Sequence, residues 1–207
     1  MNHADMRDRI RRCLHSTHQV ETVTGDHAVA GMAREERTLM PAAVLVPLVE
    51  RPEGYTVLLT QRTAHLEHHA GQISFPGGRA EDEDAGPVET ALREAEEEIG
   101  LHRRHVVEIA GFLDLYETVT GFLITPVVGF VTPPFELALD SFEVAEAFEV
   151  PLEFILDPRN HESRGMFYKG QQRRYYVIPY EDRFIWGATA AMLVSFARRL
   201  TDHPLLP

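Results

Sequence analysis

Between Pro87 and Gly100 the apolar residues Val88, Ala91, Leu92, Ala95 and Ile99 recur at helical spacing, while Glu94, Glu97 and Glu98 fall together on the sector beside them. The pattern predicts a helix over 87–99 that lays one stripe on a core and carries three carboxylates along its flank. Pro87 in the first turn and Gly100 directly after Ile99 are start and stop signals. Glu94 and Glu98 stand four residues apart, where like charges destabilise a helix by a few tenths of a kcal/mol. No lysine occurs from Gly71 to Leu101 to relieve them. Hard oxygen ligands arranged in this way suit Mg²⁺ or Mn²⁺, which bind through a few carboxylates and keep water and substrate phosphates as further ligands.

An isolated acidic run would read as a solvated face, so the surrounding residues decide. Phe75-Pro76-Gly77-Gly78 precedes an acidic loop containing Glu81, Asp82, Glu83 and Asp84. Without side chains, Gly77 and Gly78 let backbone groups come close to a metal or a phosphate. Arg93 projects away from the apolar stripe, and its planar fork can fix the orientation of a carboxylate, which makes it a positioning residue.

Elsewhere the chain is mostly strand. The apolar, β-branched runs Ala42–Glu50 and Tyr55–Arg62 flank Arg51-Pro52-Glu53-Gly54 and predict a β-hairpin. Further strands are expected in VVEIAGFLDLYE, GFLITPVVGFVT and RRYYVIPY, with a short apolar segment at VPLEFIL and a final helix from about Thr189 to Leu200. Residues 5 to 14 read as a short amphipathic helix, and the polar stretch His15–Arg37 as a linker or arm: a dimer contact or plain disorder. This divides the chain into a helix and polar arm over 1–37 and one domain over 38–207. Hairpins with segregated helices indicate a mixed α+β or α/β sandwich and not a doubly wound nucleotide fold.

With 207 residues, 44% of them hydrophobic, one full-sized core is the default. The net charge of −12 argues against a nucleic-acid partner, since such proteins present a basic stripe to phosphates. It leaves room for a small anion, because divalent cations invert the local sign of an acidic site. One cysteine, Cys13, no signal-like apolar run in Met1–Thr17 and no stretch long enough to span a bilayer lead to the expectation of a cytoplasmic protein with no membrane partner.

Taken together, Gly78, Arg93, Glu94, Glu97, Glu98 and Gly100 resemble the Nudix box, and the run Arg93-Glu94-Ala95-Glu96-Glu97-Glu98-Ile99-Gly100-Leu101 fits it throughout. Asp84 stands at the position of the box's intermediate acid, with one residue more than usual before Arg93. Upstream, Leu58-Leu59-Thr60-Gln61-Arg62, Gly71 and Phe75-Pro76-Gly77-Gly78 are similar to the segment that marks the coenzyme A pyrophosphatase branch. Thr63 stands there in place of serine or alanine, and Glu67 in place of arginine. Val144–Leu152 and Ile185–Ala190 are also similar to that branch, so the resemblance covers roughly Ala42 to Leu200.

The resemblance implies an α/β/α sandwich with a mixed central sheet and a loop-helix-loop metal site. It also implies a Mg²⁺- or Mn²⁺-dependent hydrolase that cuts coenzyme A, or a derivative, at its diphosphate into 3',5'-ADP and 4'-phosphopantetheine. Glu94 and Glu98 are then expected to ligate the metal, with Glu97 as a third ligand or a base; Glu143 and Glu146 are further candidates for the base. Arg62, with His65, His68 and His69, is a candidate for binding substrate phosphate, as are Gly77 and Gly78. Two alternatives stand beside this reading: a pyrophosphatase for ADP-ribose, dinucleotides or nucleotide sugars using the same helix, and a non-catalytic nucleotide-binding module. A homodimer is one expectation for the arm.

Overall fold

The computed structural model describes residues 3–34, 37–66, 69–168 and 171–202. Its strands are β1 Val23–Gly25, β2 Met40–Arg51, β3 Gly54–Arg62, β4 Ile73–Ser74, β5 Gly77–Arg79, β6 Val106–Phe112, β7 Leu115–Glu117, β8 Phe122–Val131, β9 Val144–Pro151, β10 Glu162–Tyr168, β11 Gln171–Tyr180 and β12 Arg183–Trp186. The helices are α1 His3–Cys13, α2 Asp26–Val29, α3 Pro87–Ile99, α4 Leu152–Leu156 and α5 Gly187–Asp202.

The first nine strands make one mixed sheet in the order β1-β7-β8-β2-β3-β4; β5 joins β2, β6 joins β8 and β9 joins β3. Strands β2 and β8 run parallel, as do β1 and β7; the other pairs are antiparallel. A three-stranded sheet, β10-β11-β12, adjoins it.

Strand β2 shows why the molecule is layered. Its side chains alternate between two faces: Val44, Val46 and Leu48 enter one core with α1 and α5 residues, and Ala43, Leu45 and Val49 enter a second with Ala91, Ala95 and Ile99 of α3. Helices therefore cover both faces of the sheet, the α/β/α sandwich expected. Among the described residues no helix is long and apolar enough to cross a membrane.

The β2–β3 hairpin, α1, α3 and α5 fall where the sequence pattern puts them, within two residues at each end. Strands β4, β5, β9, β10 and β12 are additional to that pattern, and three stretches that it assigns differ. VPLEFIL is split between the end of strand β9 and helix α4. The stretch read as one strand from Val106 divides into β6 and β7. His15–Arg37, read as a linker or arm, contributes β1 and α2 and pins itself by charge: Asp26 accepts bonds from Tyr116 Oη (2.7 Å) and Val119 N (2.7 Å). Arg34 and Arg37 likewise bond to the buried Glu117 at 2.7 and 3.0 Å. Polar composition hides this because the segment docks through ion pairs with residues some 80 positions away.

A local departure from regular pairing creates the site. β3 pairs with β2 only up to Val57 opposite Leu48, then diverges to pair with β4 at Thr60 and Gln61. The Phe75-Pro76-Gly77-Gly78 segment fills the gap, with Leu45 N donating to Pro76 O at 2.9 Å and Gly77 and Gly78 paired to Val44 and Ala43.

Candidate active site

Helix α3 begins after Gly86, carries proline in its first turn and ends on Gly100 in the left-handed conformation (φ 67°). A side chain at Gly100 would collide with Ala138 N at 2.8 Å, so glycine there also lets the following loop close on the helix. That loop is held by two amides: Ala138 N donates to Ile99 O and Asp140 N to Glu98 O, both at 2.9 Å.

Arg93 is the hub of the acidic flank. Its Nε and Nη2 each donate to Asp84 at 3.0 Å, Nη1 donates to Glu94 and Glu97 at 3.0 Å, and Nη2 also reaches Arg79 O at 3.1 Å. The Asp84 side chain is almost fully buried and also accepts from Thr90 Oγ1 (2.8 Å) and Glu81 N (2.9 Å). The Arg93 guanidinium, with these other donors, holds its carboxyl far below the usual carboxylate range. Asp84 and Thr90 thus anchor the arginine that orients Glu94 and Glu97. Sequence reasoning misses Thr90; a hydroxyl six residues after an acid at a helix start is the available signal.

Glu98 and Glu94 face inward. Only 8% of the Glu98 side chain is exposed, and its one hydrogen bond among the described residues comes from Gly77 N at 3.1 Å. Burial, only partly offset by that amide, pushes its acid up to about 7, and Glu94 and Glu143 add like charge. Burial also raises Glu94, opposed by Arg93. Gly78 leaves the space that Glu94 occupies: a Cβ there would lie 2.4 Å from Glu94 Oε1. Glu97 is different, with 59% of its side chain exposed.

Arg62 closes the far side. The ladder between β3 and β9 slips at Gln61/Arg62, a bulge that re-aims the arginine. Its Nη1 stands 3.8 Å from both Glu98 Oε1 and Glu143 Oε2, too far for hydrogen bonds, and its buried Nε has no partner among the described residues. Glu146 is not brought to this group. It lies opposite Gln61 on β9 and pairs with Arg183 on β12, whose guanidinium covers the Phe148 ring at 4.4 Å. His65 and His69 are exposed, His69 bonding Gln72 at 2.7 Å; Glu67 and His68 lie outside the described residues.

The structure therefore gathers Arg93, Glu94, Glu97, Glu98, Gly77, Gly78 and Arg62, together with Glu143. Among the described residues no three acidic, histidine or cysteine side chains stand in metal-holding positions, and Arg93 bridges Glu94 and Glu97. The donor set nonetheless fits a hard divalent cation: all oxygens, with the carboxyls of Glu94 and Glu98 both raised by burial despite the arginines beside them.

A family model described as NUDIX domain matches residues 39–169. The uncharacterized Nudix hydrolase NudL of Escherichia coli (strain K12) is 39% identical over 171 residues, 83% of this chain and 88% of the relative. The NudL of Shigella boydii serotype 18 matches to the same extent. Among solved structures, the MutT protein from Methanosarcina mazei Go1 superposes with a TM-score of 0.51 at 22% identity, over 82% of this chain and 97% of that one. The Nudix hydrolase RenU from M. smegmatis gives 0.51 at 20% identity, over 83% and 92%. These last two likenesses are of fold.

Proposed function

The chain belongs to the Nudix family, hydrolases of pyrophosphate bonds, and from that premise we propose that its substrate is coenzyme A or an acyl derivative, cut at the diphosphate to 3',5'-ADP and 4'-phosphopantetheine. The observation that carries the reading is Glu98, a buried carboxylate that among the described residues has a single amide donor and faces an arginine whose Nε has no partner. A cation on the carboxylate and an anionic oxygen on the arginine would complete the two groups. The Leu58–Arg62 and Phe75–Gly78 segments, which resemble the coenzyme A pyrophosphatase branch, supply that arginine and that amide.

Nudix enzymes generally use divalent metal ions. Here Glu94 and Glu98 would hold Mg²⁺ or Mn²⁺, with Glu97 as a third oxygen. Bound there, the ion would neutralise the diphosphate and lower the pKa of water at the site. Arg93, locked on Asp84, keeps Glu94 and Glu97 in register with Glu98. Gly77 and Gly78 leave room for phosphate oxygens against the backbone, and Arg62 grips a phosphate with the donors it does not use internally. As water's oxygen bonds to phosphorus and the bridging P–O bond breaks, Glu143 takes the proton. It neighbours Arg62 and Glu98, whereas Glu146 is engaged with Arg183.

Product analysis tests this directly, with purified protein given coenzyme A, ADP-ribose and diadenosine polyphosphates in Mg²⁺, in Mn²⁺ and in chelator. Metal-dependent release of 3',5'-ADP from coenzyme A is expected as the fastest reaction, and Glu98→Gln should lower it by about 100-fold or more while leaving the fold intact. Preferred cleavage of ADP-ribose would discard the coenzyme A assignment, and full activity in Glu98→Gln would discard the metal-ligand one.

A further inference from the structure

Phe142 sits beside Glu143 with 63% of its surface exposed, at the rim of the group just described. Its backbone is fixed on both sides: its N–H donates to Asp140 Oδ1 at 2.9 Å and its carbonyl accepts from Thr63 Oγ1 at 2.8 Å. Asp140 is in turn bonded to the last turn of α3 through Glu98 O, and Thr63 N donates to Glu143 O at 2.9 Å. The loop is thus stapled to both the metal-candidate helix and the end of β3. His65, three residues past Arg62, contacts the Phe142 ring edge-on, with centroids 4.9 Å apart and planes at 60°.

A phenyl ring held over water on a rigid backbone costs free energy that burial would recover. Phe167 is more exposed, but it lies on β10, in the separate three-stranded sheet. Phe142 instead is the residue before Glu143, whose carboxylate stands 3.8 Å from Arg62 Nη1. A flat π-face in that place rewards a flat aromatic ligand above a flexible chain.

We propose that Phe142, braced by His65, is the platform on which the purine ring of the substrate stacks, and so a specificity-determining residue for adenine nucleotides. The inference deepens the reading of the site as one for coenzyme A and rests on it for the position of the diphosphate. The Thr63 hydroxyl then sets the platform through the Phe142 carbonyl, as serine would and alanine would not.

The test separates the inference from that reading by measuring binding apart from turnover. Isothermal titration of the whole protein with 3',5'-ADP and with 4'-phosphopantetheine, each in Mn²⁺, is run for the natural chain, Phe142→Ala, Phe142→Trp and His65→Ala. Phe142→Ala should weaken 3',5'-ADP by about tenfold, the size of one lost base stack, and leave 4'-phosphopantetheine unchanged. Phe142→Trp should retain 3',5'-ADP binding, and His65→Ala should weaken it less. Because the ring is exposed, the thermal midpoint should not move. Unchanged 3',5'-ADP binding in Phe142→Ala, or a loss confined to 4'-phosphopantetheine, overturns the platform even if coenzyme A is turned over. Phe142-dependent 3',5'-ADP binding without coenzyme A cleavage keeps the platform and discards the coenzyme A reading. No 3',5'-ADP binding by the natural chain overturns the platform outright.

Discussion

Glu98 has an ordinary acid strength in the unfolded chain, whereas burial in the fold moves it from 4.5 to about 7. The folded state therefore holds the proton more tightly than the unfolded one, so in metal-free protein stability falls as pH rises from about 4.5 to about 7 and then levels off. The full effect is roughly 3 kcal/mol, since each tenfold gain in proton affinity is worth about 1.4 kcal/mol. In chelator, Glu98→Gln should accordingly be more stable than the natural chain at pH 8, and the advantage should vanish near pH 4. Denaturant midpoints across that range read it out. Added Mn²⁺ should stabilise the natural chain and not the variant. A variant less stable than the natural chain at pH 8 would mean that the carboxylate finds a compensating partner in solution.

At the scale of elements, the site is a loop fitted to a helix, and the two adjacent glycines separate packing from function. A Cβ at Gly77 would meet backbone, Ala43 O at 2.5 Å and Val44 Cα at 2.6 Å, so Gly77→Ala must displace a strand and should cost about 1–3 kcal/mol. The three atoms nearest a Cβ at Gly78 all belong to the movable end of Glu94. Gly78→Ala should change stability by less than about 0.5 kcal/mol, yet lower turnover by about 100-fold through a carboxylate out of place. Thermal midpoints and kcat/KM for both variants decide it; equal losses of stability would refute the distinction. Helix α3 and the two glycines are legible in the sequence because caps and period are local signals. Arg62 beside Glu98 and Glu143 is not, since it depends on β3 parting from β2 and on the bulge at Gln61/Arg62. Strand β9 escapes for a related reason: Glu146 and Glu149 interrupt its apolar residues, and their partners Arg183 and Arg51 are remote in sequence.

For the molecule as a whole, the question is whether residues 1–37 are an appendage. Met6, Ile10, Cys13 and Leu14 share the core of β2, β3 and α5. Arg9 caps Leu200 O at 2.7 Å, Arg199 returns a bond to Cys13 O at 2.8 Å, and Arg34 and Arg37 neutralise the buried Glu117. A chain of residues 38–207 would expose an apolar face and leave that carboxylate without its cations, a loss of several kcal/mol on a domain whose margin is about 5–15. We expect it to be insoluble or unfolded by circular dichroism. Cys13 allows the same question to be put to the intact protein. Its thiol is buried, bonded to Ile10 O at 3.1 Å and pushed up to about 11 by that burial, so at pH 8 it should resist thiol reagents. If α1 belongs to the core, the labelling rate will rise with denaturant in step with global unfolding. Fast labelling of a chain that keeps its native spectrum and activity would instead show a helix that undocks by itself, and with it a domain that begins near residue 38.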